Sequence, residues 1–507
     1  MIKNCDEKFI KNKLLFFFKF IFHYGVIPNE FNVTHIIPIK KDKKTTINDL
    51  NNLRPISISN ILAQIFERLL SNKMKEINKT HENQFGYKNK TSCTHALFVF
   101  KETIIKHVEN NTHIFAALLD AIKAFDNLWR QALYLKMKKK DILLSAIILL
   151  RIYYDKLAAK IKINDILSTT FNLRRGVKQG GFLSGTLFNF FINDLIEECH
   201  RAGVGAVYID LIVAILVFCD DVCLLSMNES EMQSLLNICD NFSKKWAIEF
   251  NTSKCKFIVF GSNKFSKTKF YLNGLPLTYS NNIKYLGIEF NNNLDFSYFF
   301  IDKFKAVSNS FFSLNSFGFK PGGINPFLQS FIYKSYCISR LLYGFEILSV
   351  NKKTLLKMNV SQNNIIRYIT GLSKNSHVSN TRRILKILSI NELYSYMKLI
   401  FVKNLNNNNL CKKIFNYLLS SKYKNNTKSF IKEFMDVCKE ISLDHKYVID
   451  NINSVSIEFK NKCIEFEKNT ESDLIQTCLN NNHDFNMIYQ LNLVTYAGPL
   501  YDANNIN

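Results

Sequence analysis

The chain alternates short, almost wholly apolar runs with amphipathic stretches of helical period, the pattern of a mixed α+β protein. Residues 8–25 read as an apolar helix stopped by Gly25 and Pro28. Residues 32–41 read as a strand that runs into a basic, polar loop ending at Leu53-Arg54-Pro55-Ile56-Ser57. Apolar spacing at Ile61, Ile65, Leu69 and Met74 predicts a helix over 60–78, and Thr91 or Ser92 opens another over 92–109. The apolar run 114–119 ends in Asp120. Residues 128–160 read as mostly helical, and 161–174 as a hairpin of short strands. A glycine-rich turn, 175–185, opens an amphipathic helix near 186–201 with Leu187, Phe190, Phe191 and Leu195 facing one way. Two apolar runs, 211–218 and 222–225, then flank Cys219-Asp220-Asp221 and read as a hairpin with acids at its tip. A helix over 229–247, strands at 254–261 and 268–272, and a short hairpin around Tyr285-Leu286-Gly287 follow. Beyond about residue 295 the pattern is helical and rich in Lys and Asn, which places a boundary near 290–300.

The acids decide what this scaffold is for. A buried, unpaired carboxylate costs several kcal/mol, and two side by side repel. Asp220 and Asp221 therefore call for a positive partner, most simply a divalent cation. Asp120, at the end of a strand far away in sequence, supplies a third carboxylate. Alone, Asp120 would be better explained as a solvated helix cap; the Asp220-Asp221 tip reverses that preference. Carboxylates at two strand ends are the components of a two-metal phosphoryl-transfer site. Gly176, Gly180 and Gly181 in a basic turn let backbone approach an anionic ligand, with Gln179 offering an amide. Lys40 and Arg54 could clamp a triphosphate, although each taken singly is more often a surface charge.

Charge points the same way. The chain has 66 Lys and Arg against 42 Asp and Glu, a formal net charge of +24. Such an excess favours a polyanionic partner and salt-dependent binding. A coding bias toward Lys and Asn, visible in the asparagine run 406–409, accounts for part of it. Twelve cysteines without a Cys-x-x-Cys pair exclude a visible zinc knuckle and read as reduced core residues. The aromatic-rich run 14–24 contains Lys19 and His23 and is too short to span a bilayer. It is expected to be a buried helix of an intracellular protein with no membrane partner, working in cytoplasm and nucleus.

In this order the motifs resemble those of the reverse transcriptases of non-LTR (LINE-type) retrotransposons, over about residues 20–390. Pro38-Ile39-Lys40-Lys41 and Arg54-Pro55-Ile56-Ser57 match the basic strand and the Arg-Pro-Ile-Ser segment, and Gln84-Phe85-Gly86-Tyr87 the next. Asp120 with Lys123-Ala124-Phe125-Asp126 is similar to the first catalytic motif. Arg175-Gly176-Val177-Lys178-Gln179-Gly180 resembles the nucleotide-site motif, and Phe218-Cys219-Asp220-Asp221 stands where the aromatic-Ala-Asp-Asp box belongs. Trp246 to Asn251 with Lys254 resemble the motif after it, Tyr285-Leu286-Gly287 the primer grip, and Tyr333-Lys334-Ser335-Tyr336 with Leu342-Tyr343-Gly344 the thumb.

The resemblance implies an α+β right-hand polymerase: fingers and palm with an antiparallel sheet over 1–290, a helical thumb over 291–390, and a helical C-terminal region over 391–507. Asp120 and Asp220 would hold two Mg²⁺ ions, with Mn²⁺ a possible substitute and Asp221 a supporting acid. Phe125 would stand under the sugar, disfavouring a ribose 2′-hydroxyl; without the resemblance it reads as a core residue. Gln179 and Gly180 would line the incoming nucleotide, and Lys40 and Arg54 would meet its triphosphate, Lys41 or Lys43 being substitutes for Lys40. RNA template, DNA primer or target, and dNTPs are the implied partners. Gly181-Phe182-Leu183-Ser184-Gly185 departs from the family's Cys-Pro-Leu-Ser-Pro, and losing two prolines is expected to loosen the turn. That change favours an alternative, a catalytically dead remnant that only binds RNA or RNA–DNA hybrid. A maturase-like splicing partner is a third reading, disfavoured by the thumb pattern. No endonuclease is recognisable in either flank, as expected of a truncated open reading frame.

Overall fold

The computed structural model describes residues 7–41, 50–262, 264–265, 267–420 and 428–464. Lys43 and the whole C-terminal stretch beyond 464, part of the expected 391–507 helical region, lie outside them. The chain forms two compact units, Met1–Asn293 with Asn407–Ile414, and Leu294–Asn406 with Phe415–Asn507.

The first unit is built on a five-stranded sheet in the order Thr278–Tyr279, Lys256–Phe260, Ile114–Asp120, Asp221–Ser226, Ile215–Phe218. Three of its four pairings are antiparallel, and Thr278–Tyr279 joins Lys256–Phe260 in parallel. Ile114–Leu119 is apolar throughout because both faces of the strand are covered there, and Asp120 closes it. Phe115, Ala117 and Leu119 join the core cluster with Leu187 and Phe191 of the helix Ser184–Arg201 and Met232 and Leu235 of the helix Glu229–Trp246. Toward the helix Cys93–Glu109, Phe100 packs edge-on against Phe260 at 6.2 Å.

A second sheet joins Val33–Lys40 to Leu53–Ile58 in antiparallel register and to Ala158–Ile163 in parallel register. Only the first half of this parallel strand, residues 158–160, was expected to be the end of a helical stretch; residues 161–163 fall in the expected strand hairpin. Its partner, Val33 opposite Ala158, lies far away in sequence, so local period carries no sign of it. The expected acidic hairpin proves to be two, Val207–Tyr208 with Leu211–Ile212 and Ile215–Phe218 with Asp221–Ser226.

The helix Glu7–Tyr24 forms as expected but is buried on one face only. Phe18 and Ile21 enter the core, whereas Phe16 and Tyr24 are 73% and 64% exposed. A helix apolar all round cannot be covered by a single neighbouring face. No helix among the described residues is long and apolar enough to cross a membrane. The ten cysteines among them are all free thiols.

The second unit is helical, as the pattern after 295 predicted. Ser297–Phe312, Lys352–Thr370 and Ile390–Leu405 contribute Phe311, Ile366 and Leu399 to its interior. Tyr333, first residue of the π-turn Tyr333–Cys337, is fully buried against Phe311.

Candidate active site

The first sheet brings three carboxylates to one end. Asp120 lies opposite Asp221 in the antiparallel register, and opposed residues present their side chains on one face, with Cβ atoms about 5 Å apart. Only Cys219 and Asp220 make the turn, since Phe218 pairs with Asp221. Cys219 sits at φ +60°, a region costing an L-residue about 1–2 kcal/mol.

A conformation of that kind persists only where its surroundings hold it. Gln84 does so from a fully buried position: its Oε1 accepts from Cys219 N at 3.2 Å and from Gly86 N at 3.1 Å. Phe85 N donates to Val217 O and Val217 N to Asn83 O, both at 2.9 Å, so residues 83–86 lie along the strand leading into the turn. The sequence placed Gln84-Phe85-Gly86 in the right order without a role; its neighbour in space is more than a hundred residues away.

The carboxylates feel one another. Burial first, then the charges of Asp220 and Asp120, push the Asp221 carboxyl up to about 6. Burial also raises Asp220, Asp120 adding to the rise while Arg54 draws it down. Arg54 thus acts on Asp220 through its charge, whereas Lys40, opposite Leu53 in the strand register, forms no ion pair with the three acids. Lys41 instead acts on the Asp126 carboxyl. Lys254, noted only as part of a motif, has its Nζ 3.7 Å from Asp120 Oδ2, both side chains being well exposed. Asn251 N donates to Asp120 O at 2.8 Å and fixes this segment against the strand end.

Among the described residues no three His, Cys, Asp or Glu side chains already close on one point as a metal cage. The donor chemistry nevertheless suits a hard divalent ion: three carboxylates share one sheet end, and their mutual repulsion is only partly offset by Arg54 and Lys254.

The glycine-rich turn is fastened to the rest of the unit by buried charges. Lys178 and Glu67, 2% and 1% exposed, form an ion pair at 2.5 Å. Glu67 also accepts from Tyr153 OH at 2.7 Å and from Leu183 N at 3.1 Å, while Lys178 donates to Ser59 Oγ at 3.0 Å and to the Tyr153 hydroxyl. Buried Arg130 donates to the carbonyls of Leu173, Arg175 and Gly176. The turn lacking two prolines, expected to be loose, is therefore braced by an ion pair that local sequence does not reveal.

Its glycines serve packing against protein. Gly180, at φ +103°, would bring a Cβ to 2.8 Å from Ser57 O. Gln179 donates Nε2 to both carboxylate oxygens of Asp126, at 2.9 and 3.0 Å, while its carbonyl accepts from Ser57 N at 2.7 Å. Phe125 stacks on Phe188 at 5.3 Å and meets Tyr87 at 6.4 Å, so it is half core residue, half site residue.

Tyr285-Leu286-Gly287 occupies the hairpin Asn282–Tyr285 with Ile288–Asn291. Leu286 and Gly287 both have positive φ, the requirement of a two-residue type I′ turn. Buried Tyr285 packs on Phe100 at 5.0 Å, anchoring the hairpin to the helix Cys93–Glu109.

Residues 39–290 match the family described as reverse transcriptase (RNA-dependent DNA polymerase). They are a reverse transcriptase domain. It is similar to the RNA-directed DNA polymerase from mobile element jockey of Drosophila melanogaster, 23% identical over 80% of this chain and 45% of that protein. It is also similar to the probable RNA-directed DNA polymerase from transposon X-element of the same species, 25% identical over 66% and 37%. The chain spans less than half the length of these relatives. Among solved structures, apo telomerase from Candida tropicalis is 14% identical over 84% of this chain and 74% of its own, with a TM-score of 0.41. The reverse transcriptase domain thus groups with those of non-LTR, LINE-like elements. The family generally uses divalent metal ions.

Proposed function

We propose that the chain is an RNA-directed DNA polymerase that adds dNTPs to a primer 3′-hydroxyl on an RNA template. The observation that carries this is the convergence of Asp120, Asp220 and Asp221 at one sheet end inside the reverse transcriptase domain. Asp120 and Asp220 would hold two Mg²⁺ ions, or Mn²⁺ in their place, with Asp221 adding negative potential. Bound there, the ions would lower the pKa of the primer hydroxyl and offset charge on the departing pyrophosphate.

The remaining roles belong to side chains. Arg54, in the electrostatic field of Asp220, meets the triphosphate, with Lys40 further along the paired strand. Phe125, held on Phe188, closes the space where a ribose 2′-hydroxyl would sit. Gln179, fixed by Asp126, and Gly180 line the nucleotide, and the Tyr285-Leu286-Gly287 hairpin grips the primer. The net charge of +24 favours the RNA template and DNA primer or target as partners, with RNA bound in the cytoplasm and synthesis in the nucleus.

The bracing of the 175–185 turn by Glu67 and Lys178 supports this reading over a remnant that only binds RNA. The test is dTTP incorporation on poly(rA)/oligo(dT) with Mg²⁺, alongside Asp220→Ala. Incorporation by the parent and its loss in the variant are expected. Salt-sensitive RNA binding with no incorporation by either would leave the binding-only remnant.

A further inference from the structure

Tyr87 combines three features that packing alone does not explain. Its backbone sits at φ +45°, a sterically costly region for a bulky side chain. Its side chain is 63% exposed although it is aromatic. And its ring lies flat on Gly185 at the start of the helix Ser184–Arg201. A Cβ at 185 would fall 2.6 Å from Tyr87 Cδ2 and closer still to Cγ and Cδ1, so only glycine permits this seat. Strain of this kind, kept at a site rather than relaxed, points to a function.

The surroundings say which. Gly86 passes over the acidic turn and is pinned there by Gln84, so Tyr87 projects beside it. The Tyr87 hydroxyl is raised by burial and by the nearby Cys219 and Asp220, and drawn down by Arg54. Its ring stands at 67° to Phe125 with centroids 6.4 Å apart, so the two make a corner beside Asp220. One face of Tyr87 is covered by Gly185, while the residue as a whole stays 63% exposed.

We infer that Tyr87 is a nucleotide-binding residue of the insertion site: its exposed ring stacks on the base pair formed by the incoming nucleotide and the template base, and Gly185 sets the height of the ring. This rests on the polymerase reading above. A flat aromatic face suits any base, and one such contact corresponds to roughly a tenfold change in affinity. It also gives the departure at 185 a cause, because a residue with a Cβ there would displace the ring.

The experiment measures dTTP affinity in a chemistry-free complex with dideoxy-terminated poly(rA)/oligo(dT) and Ca²⁺, and single-nucleotide insertion with Mg²⁺ in parallel. Tyr87→Ala, which leaves an exposed position, should weaken dTTP binding and raise KM by about tenfold, with kcat changed far less. Tyr87→Phe should retain most of the affinity. Gly185→Ala should reproduce the Tyr87→Ala loss in the parent yet add little in the Tyr87→Ala background, since the three atoms nearest the new methyl all belong to that ring. Unchanged dTTP affinity in Tyr87→Ala, or a Gly185→Ala penalty of equal size in both backgrounds, would overturn the inference. A parent that binds dTTP in a Tyr87-dependent way but does not incorporate it would sink only the catalytic reading. A parent that does not bind dTTP at all would sink both.

Discussion

Replacing Lys178 with Met removes one half of the buried ion pair beneath the glycine-rich turn while keeping most of the volume. Lys178 and Glu67 are almost wholly out of solvent, so Glu67 would be left as an uncompensated charge. Removing one partner of such a pair typically costs about 3–5 kcal/mol. Glu67 would still accept from Tyr153 OH and Leu183 N, which places the expected loss near the lower end, about 3 kcal/mol. The double variant Lys178→Met/Glu67→Gln buries no charge, and its Gln oxygen can accept from Leu183 N while Nε2 donates to the Tyr153 hydroxyl oxygen. It should recover to within about 1 kcal/mol of the parent. The assay is urea unfolding followed by tryptophan fluorescence. The two tryptophans, Trp129 and Trp246, both lie in the unit Met1–Asn293, so the signal reports that unit alone. Midpoints compared at constant m then give the difference directly. A loss under about 1 kcal/mol for Lys178→Met, or a double variant as unstable as the single, would refute the bracing argument.

Three further outcomes are expected. Asp221 has a raised carboxyl pKa of about 6, so its contribution to stability is full below about pH 4 and is lost as pH rises through 6. Asp221→Asn should therefore match the metal-free parent at pH 4 and exceed it by about 1 kcal/mol above pH 7, a figure reduced for solvent screening at this exposed residue; equal stability at both pH values would contradict it. Millimolar Mg²⁺ or Mn²⁺ should raise the melting temperature of the parent, by the equivalent of about 2.7 kcal/mol at a hundredfold excess over Kd, and should do little for Asp120→Asn/Asp220→Asn. Gln84→Leu strands two buried N–H groups at the acidic turn, and we expect a stability loss of about 2–4 kcal/mol with a marked drop in primer extension; full extension at parental stability would show that the turn does not depend on it.

Much of the site was legible before any coordinates. Strands buried on both faces must be apolar without interruption, so 114–119 and 222–225 announced themselves, and the acids at their ends stood out against that background. Amphipathic period located the helix Ser184–Arg201, and the short hairpin pattern the Leu286-Gly287 turn. These are local properties: the period of burial along one element, and the backbone demands of one turn.

What only the tertiary structure decided is how those pieces are held. Gln84 clamps Cys219, Glu67 braces Lys178 and Leu183, and Ala158–Ile163 finds Val33–Lys40 as its parallel neighbour. The side chain of Gln179 is committed to Asp126, and Tyr87 rests on Gly185. Each joins residues from about fifty to well over a hundred positions apart, and a single buried polar contact of that kind leaves no periodic trace in the chain. Apolar burial repeats along an element and can be read from it; a hydrogen bond or an ion pair is made once, between two particular atoms, and exists only where the fold brings them together.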